Sequence, residues 1–259
     1  MGQGPAVTRM ELDGRTYWDS SDERIEAQRN MTRVIISHDI GGKFSHMAGL
    51  VAEQWRGLGF SPHVNAVGPE GWLGIPVGHA AKISRMISAS ELPGISILSD
   101  ADMLPLRRQE FDFLVNAVTR WDKSLYCYGA DAYASWAQGR FPICYLAADQ
   151  RIWRDIVNPL HLARPALLET WRGLRGDGKA DPWRAPFSDE SLLAELLRRW
   201  TGDVIGINRG WTDGIADARL DRSCWRVDPA RLASGEYIDA HMPRLPPADM
   251  ERLIKGIRG

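Results

Sequence analysis

The chain has 259 residues, 44% of them hydrophobic and 25% charged, with 32 Lys+Arg against 33 Asp+Glu and a formal net charge of −1. This composition excludes disorder over most of the length and suits one α/β domain with an ordinary core. The charge balance argues against a dedicated nucleic-acid binder or a polybasic membrane protein, while leaving room for a local basic pocket. Lysine supplies only five of the basic residues, Lys43, Lys82, Lys123, Lys179 and Lys255. The rest are arginine, whose fork suits bidentate contacts with phosphate or carboxylate. No apolar run approaches the ~18 residues of a membrane span, the longest being Phe141 to Ala148. The N-terminus lacks the apolar core of a signal peptide. Cys127, Cys144 and Cys224 fit no C-x-x-C pattern and leave an odd count. These features predict a soluble cytoplasmic protein with no transmembrane segment, and thiols that are buried and inert.

Residues 1–31 are polar, hold no period for long, and read as an N-terminal extension, with the folded domain at 32–259. Arg33 to His38 is a β-branched run that predicts a buried strand. Gly41 and Gly42 break it. Phe44, Met47, Ala48, Val51, Trp55 and Leu58 then mark one helix face. Ser61 to Val67 predicts a second strand. Strand, turn, helix and strand form a βαβ unit and imply a parallel sheet. A helix over 79–89 and a third buried strand at Ile95 to Leu98 continue the pattern. Arg108 to Trp121 predicts a helix. Leu125 to Tyr128 and Ile143 to Ala147 are strand candidates. Trp55, Trp121 and Trp200 lie on apolar faces and predict core. Arg172 to Pro186 reads as a long loop. Ser188 is placed to cap a leucine-rich helix, and Val204 to Ile207 predicts a late strand.

The segment Ile95 to Leu106, ISILSDADMLPL, carries the strongest chemical signal. Open parallel sheets bind ligands at the carboxyl ends of their strands. Asp100 and Asp102 leave a buried strand together at that edge, where their repulsion must be offset. A divalent cation is one means. Oxygen ligands suit Mg²⁺ or Mn²⁺, which also bridge the phosphates of a nucleotide. The alternative is a pair of solvated turn and cap residues. Gly41-Gly42-Lys43 is no phosphate-binding P-loop, because Ser37 stands where the first glycine is required and Phe44 where a Ser or Thr is.

The run SDADMLPL resembles the DxD motif of GT-A glycosyltransferases, and the order of features is similar over about residues 32–245. The resemblance implies a single GT-A-like, Rossmann-like domain with a central mixed, mostly parallel sheet flanked by helices. It implies a metal-dependent enzyme that moves a sugar from a nucleotide diphosphate donor, with a lean to UDP, to a carbohydrate or other hydroxyl acceptor. By the same resemblance Asp102 would ligate Mn²⁺ or Mg²⁺ directly. Asp100 would touch the ribose or the ion's water shell. His241, in Tyr237 to Arg244, would complete the metal set through a neutral imidazole. Ser37, His38 and Asp39 would hold the base and its ribose. Lys82 and Arg85, three apart on one helix face, would approach the donor unless that face is simply solvated. Asp189 and Glu190 would face the acceptor, one of them accepting the hydroxyl proton. Carboxylates in a first helical turn also occur for dipole reasons alone. Asp189, next to the Ser188 cap, is the favoured base, with Asp149 and Asp131 as weaker rivals. The competing expectations are a nucleotidyltransferase on a similar sheet and a non-catalytic carbohydrate- or nucleotide-binding module.

Overall fold

A computed structural model describes residues 7–10, 31–121, 123–130, 140–174, 188–207, 211–212, 215–216, 218–223, 225–243 and 245–258. The first half runs β1 (Val7–Met10), β2 (Arg33–Asp39), α1 (Ser45–Gly57), β3 (Ser61–Val67), α2 (Val77–Glu91), β4 (Ile95–Ser99), β5 (Met103–Pro105), α3 (Gln109–Arg120) and β6 (Ser124–Tyr128). Then come β7 (Leu146–Asp149), α4 (Gln150–Val157), α5 (Arg164–Gly173), α6 (Ser188–Arg199) and β8 (Asp203–Ile207). The short elements β9 (Trp211–Thr212), β10 (Ile215–Ala216), β11 (Arg219–Leu220), α7 (Pro229–Ala233) and β12 (Asp239–His241) lead to α8 (Pro247–Arg258).

The main sheet has seven strands in the order β1-β8-β6-β7-β4-β2-β3. All neighbours are parallel except β7, which runs antiparallel to both β4 and β6. This is the mixed, mostly parallel α/β sheet that the resemblance implies; the βαβ pattern alone implies the parallel part of it, and β7 is the exception. Successive strand residues point to opposite faces, so β2, β4, β6, β7 and β8 each feed two cores. Val34, Ile36, Ile97, Tyr126 and Ala147 join one cluster with residues of α1, α3 and α8. Ile35, Leu98, Leu125, Cys127, Leu146 and Ala148 join the other, with residues of α2, α4, α5 and α6. Helices cover both faces, and both faces must therefore be apolar.

The structure departs from the sequence expectations in several places. Val7–Met10 lies within the polar N-terminal stretch, yet pairs in parallel with Val204–Ile207 at the sheet edge. The strand expected from Ile143 begins only at Leu146. Pro142 has no N–H to donate, and Tyr145 sits at φ 61°, outside the extended region. Helices α4 and α5 follow from spacings not read above, with Trp153, Ile156 and Val157, then Leu167, Leu168 and Trp171, turned inward. Trp121 is not core, because the helix ends just before it and its side chain is exposed. Residues 175–187 of the expected loop, together with Asp131 and Cys224, lie outside the described residues.

Trp55 is fully buried against Phe60, Phe111 and Tyr145, with ring centroids 5.2, 4.5 and 6.1 Å away. Its indole N–H donates to Ser99 Oγ at 3.3 Å, tying α1 to the end of β4. Trp55→Ala should destabilise the fold by about 3–5 kcal/mol, read as a lower urea midpoint with little change in slope.

Candidate functional site

The carboxyl ends of β2 and β4 lie side by side, because the two strands pair in parallel with Ile36 opposite Ser99. A cavity of about 730 Å³ opens at that edge, within the size range of small-molecule sites. The residues that the resemblance assigns to the site border it, the rivals Asp149 and Asp131 aside: Ser37, His38 and Asp39 after β2, Lys82 and Arg85 from α2, Asp100 and Asp102 after β4, Asp189 and Glu190 from α6, and His241 from β12. Asp149 lies elsewhere. It pairs with Ile95 at the opposite end of β4 and caps α4 by accepting from Arg151 N.

A second, three-stranded sheet brings His241 to Asp102. Its order is β11-β12-β5. The antiparallel pairing of β12 with β5 sets His241 opposite Met103, and Met242 N donates to Asp102 O at 2.8 Å. The imidazole Nε2 then lies 3.5 Å from Asp102 Oδ2. Parallel pairing of β11 with β12 carries the next residues to the same place. Asp221 Oδ2 is 3.3 Å from His241 Nδ1, and Arg222 donates to Asp102 Oδ2 at 3.0 Å. Burial alone would raise the Asp102 carboxyl, but His241 when its ring is protonated, with Arg222, outweighs burial and holds the carboxyl below the usual carboxylate range.

The other half of the site is a buried ion-pair chain. Arg85 is only 5% exposed, which removes the solvated-face reading for it. It donates to Asp100, and to Asp189 Oδ2 at 3.0 Å. Lys82 reaches Asp189 Oδ1 at 3.4 Å. Burial disfavours the Arg85 charge, but Asp100 and Asp189 outweigh it and raise its pKa further. Both Asp189 oxygens thus face cations. Glu190 borders the same cavity, and its carbonyl accepts from Phe141 N at 3.2 Å.

At the β2 edge, Ser37 Oγ accepts from Asn65 Nδ2 at 3.0 Å and from Ser84 Oγ at 2.9 Å. Its hydroxyl therefore serves a polar cluster between β2, β3 and α2. Ser45 Oγ lies 3.1 Å from His38 Nδ1 and donates to Asp39 O at 2.8 Å. A Cβ on Gly42 would displace the Asp39 carboxylate, which packs against that glycine. Cys144 is half-buried at the cavity wall. Burial and the Asp100 carboxylate push its thiol well up, so it stays protonated and unreactive.

Sequence reasoning missed Arg219, Asp221 and Arg222, all of which border the cavity. Arg219 forms a two-pronged pair with buried Asp239, both contacts at 3.0 Å. A two-residue strand has no period to read. The only signal was the charged run Arg219-Leu220-Asp221-Arg222.

The donor chemistry suits a divalent ion shared with a ligand. Two donors each about 2.1 Å from one ion lie roughly 3–3.5 Å apart, and the Asp102–His241 separation is 3.5 Å. Among the described residues no three His, Cys, Asp or Glu side chains converge on one point, and Asp100 is turned to Arg85. Mg²⁺-type sites commonly use one or two protein ligands, waters and substrate phosphates instead of a closed cage.

No protein-family model matches the chain, and no curated protein does. Solved structures with a similar backbone include a glycosyltransferase involved in the glycosylation of the major capsid of PBCV-1. It is 13% identical, covering 87% of this chain and 98% of that one, with a TM-score of 0.47. An active-site mutant of LgtC is 14% identical over 81% of this chain and 86% of that one, with a TM-score of 0.43. The galactosyltransferase LgtC with donor and acceptor sugar analogs is 12% identical over the same shares, with a TM-score of 0.41. Identities this low carry no residue role across. No helix among the described residues is long and apolar enough to cross a membrane.

Proposed function

We propose that the protein is a glycosyltransferase that takes a sugar from a nucleotide diphosphate donor, UDP by preference, to a hydroxyl acceptor with the help of Mn²⁺ or Mg²⁺. The observation that carries this reading is the Asp102–His241 pair at the carboxyl end of β4, inside one cavity that also gathers the β2 edge and the α6 acidic pair. The α/β sheet and its switch-point cavity suit a nucleotide. His38 and Asp39 border the place for its base and ribose. Arg222, with Lys82, supplies positive charge for a diphosphate.

Asp102 and His241 would hold the ion, and Arg222 would turn from Asp102 toward the phosphates. When bound, such an ion supplies Lewis-acid stabilisation of the charge on the leaving diphosphate. Arg85 holds Asp100 and Asp189 in place. Since Asp189 is committed to Arg85 and Lys82, Glu190 is the carboxylate we assign to the acceptor hydroxyl proton.

The test needs no known acceptor. With a panel of sugar nucleotides and Mn²⁺, slow transfer to water should release nucleoside diphosphate, and excess EDTA should stop the release. Release that persists in excess chelator would remove the metal from the account. Pyrophosphate formed from a nucleoside triphosphate would instead indicate nucleotidyl transfer.

A further inference from the structure

Between Asp102 and Asp221 the His241 ring meets a carboxylate at each nitrogen, and a neutral imidazole has only one N–H to give. Asp221 Oδ2 is the nearer, at 3.3 Å from Nδ1 against 3.5 Å from Nε2 to Asp102 Oδ2. Asp102 Oδ2 already accepts from Arg222 at 3.0 Å. Asp221 is held rigidly: its Oδ1 accepts from Ser223 N at 2.9 Å and from Ser223 Oγ at 2.7 Å. The three side chains are mostly buried, at 21% exposed for His241, 12% for Asp221 and 13% for Asp102.

We propose that Asp221 is the positioning residue of His241: by accepting a hydrogen bond from Nδ1–H it turns the Nε2 lone pair toward Asp102 and the divalent ion that pair would share. This deepens the metal-dependent reading above and rests on it. Carboxylates commonly fix the tautomer and raise the basicity of metal-binding imidazoles in this way. The β11–β12 register sets Asp221 beside His241 as surely as β12–β5 sets His241 beside Asp102.

Asp221→Asn gives a sharp test because it keeps the shape. The two Ser223 donors claim the amide oxygen, so the amide NH₂ must face His241 Nδ1. The ring is then forced to carry its proton on Nε2, where the lone pair should be. Nitrogen-15 spectra of the metal-free protein, taken well above the ordinary histidine range near 6.5, should show His241 protonated at Nδ1 in the wild type and at Nε2 in Asp221→Asn. Mn²⁺ affinity, followed by the signal of the free ion, should fall about 10–100-fold in the variant, with the far-UV spectrum unchanged. If Asp221→Asn does not fold, Asp221→Ala is read for loss of the single tautomer and of Mn²⁺ affinity. An unchanged tautomer, or equal Mn²⁺ affinity beside a wild type that binds, overturns the proposal. A wild type that takes up no Mn²⁺ overturns the metal reading itself, and the metal half of this proposal with it. The tautomer comparison then still decides whether Asp221 sets the ring.

Discussion

Asp102→Asn should lower turnover by about 10²–10⁴-fold while leaving the fold intact. A metal acting as Lewis acid is worth several kcal/mol of transition-state charge stabilisation, and each 1.36 kcal/mol is tenfold in rate. The substitution keeps the side-chain shape but removes the charge that His241 and Arg222 both face. Asparagine would also leave Arg222 without its ionic partner at that oxygen. A second consequence follows from the lowered Asp102 carboxyl. A carboxyl depressed by folding contributes stability that is present above its unfolded value of about 3.9 and is lost as pH falls through the folded value. Acid unfolding curves of the variant should therefore be shallower below about pH 4. Turnover near that of the wild type would assign the chemistry to other groups.

Arg85→Met should cost about 3–5 kcal/mol of stability, the usual result of leaving a buried charge without its partner. Asp189, 4% exposed at its side chain, would keep only Lys82, which is 43% exposed and 3.4 Å away. Asp100 would lose its guanidinium as well. The diagnostic control is Arg85→Met with Asp189→Leu. Replacing both members of a buried pair by apolar groups is often close to neutral, so the double variant should regain a large share of the loss. Denaturant unfolding of the two variants reads both effects. A small single-variant effect would mean that the Arg85 pairs contribute little to folding.

Much of this arrangement is legible in the sequence, for physical reasons. β2, α1, α2 and β4 each carry an apolar pattern long enough to identify the element, and their burial demands it. Asp100 and Asp102 are legible because carboxylates directly after an apolar strand fall at the ligand-binding edge. Other features depend on tertiary pairing that no local pattern encodes. Val7–Met10 is a four-residue edge strand recruited by β8. Asp221 reaches His241, and Arg222 reaches Asp102, through the register of a three-stranded sheet whose strands have two or three residues. The commitment of Asp189 to Arg85 and Lys82 depends on how α6 docks against α2, which helix spacing alone does not specify. For that reason the carboxylate favoured for its place beside Ser188 is the one the ion pairs occupy.

The most direct test of the account is calorimetric titration of UDP into the protein, once with Mn²⁺ and once with excess EDTA. The account predicts binding at least about tenfold tighter with Mn²⁺, a difference of about 1.4 kcal/mol, and loss of that difference in Asp102→Asn. Equal UDP affinity in Mn²⁺ and in chelator, in the wild-type protein, would contradict it.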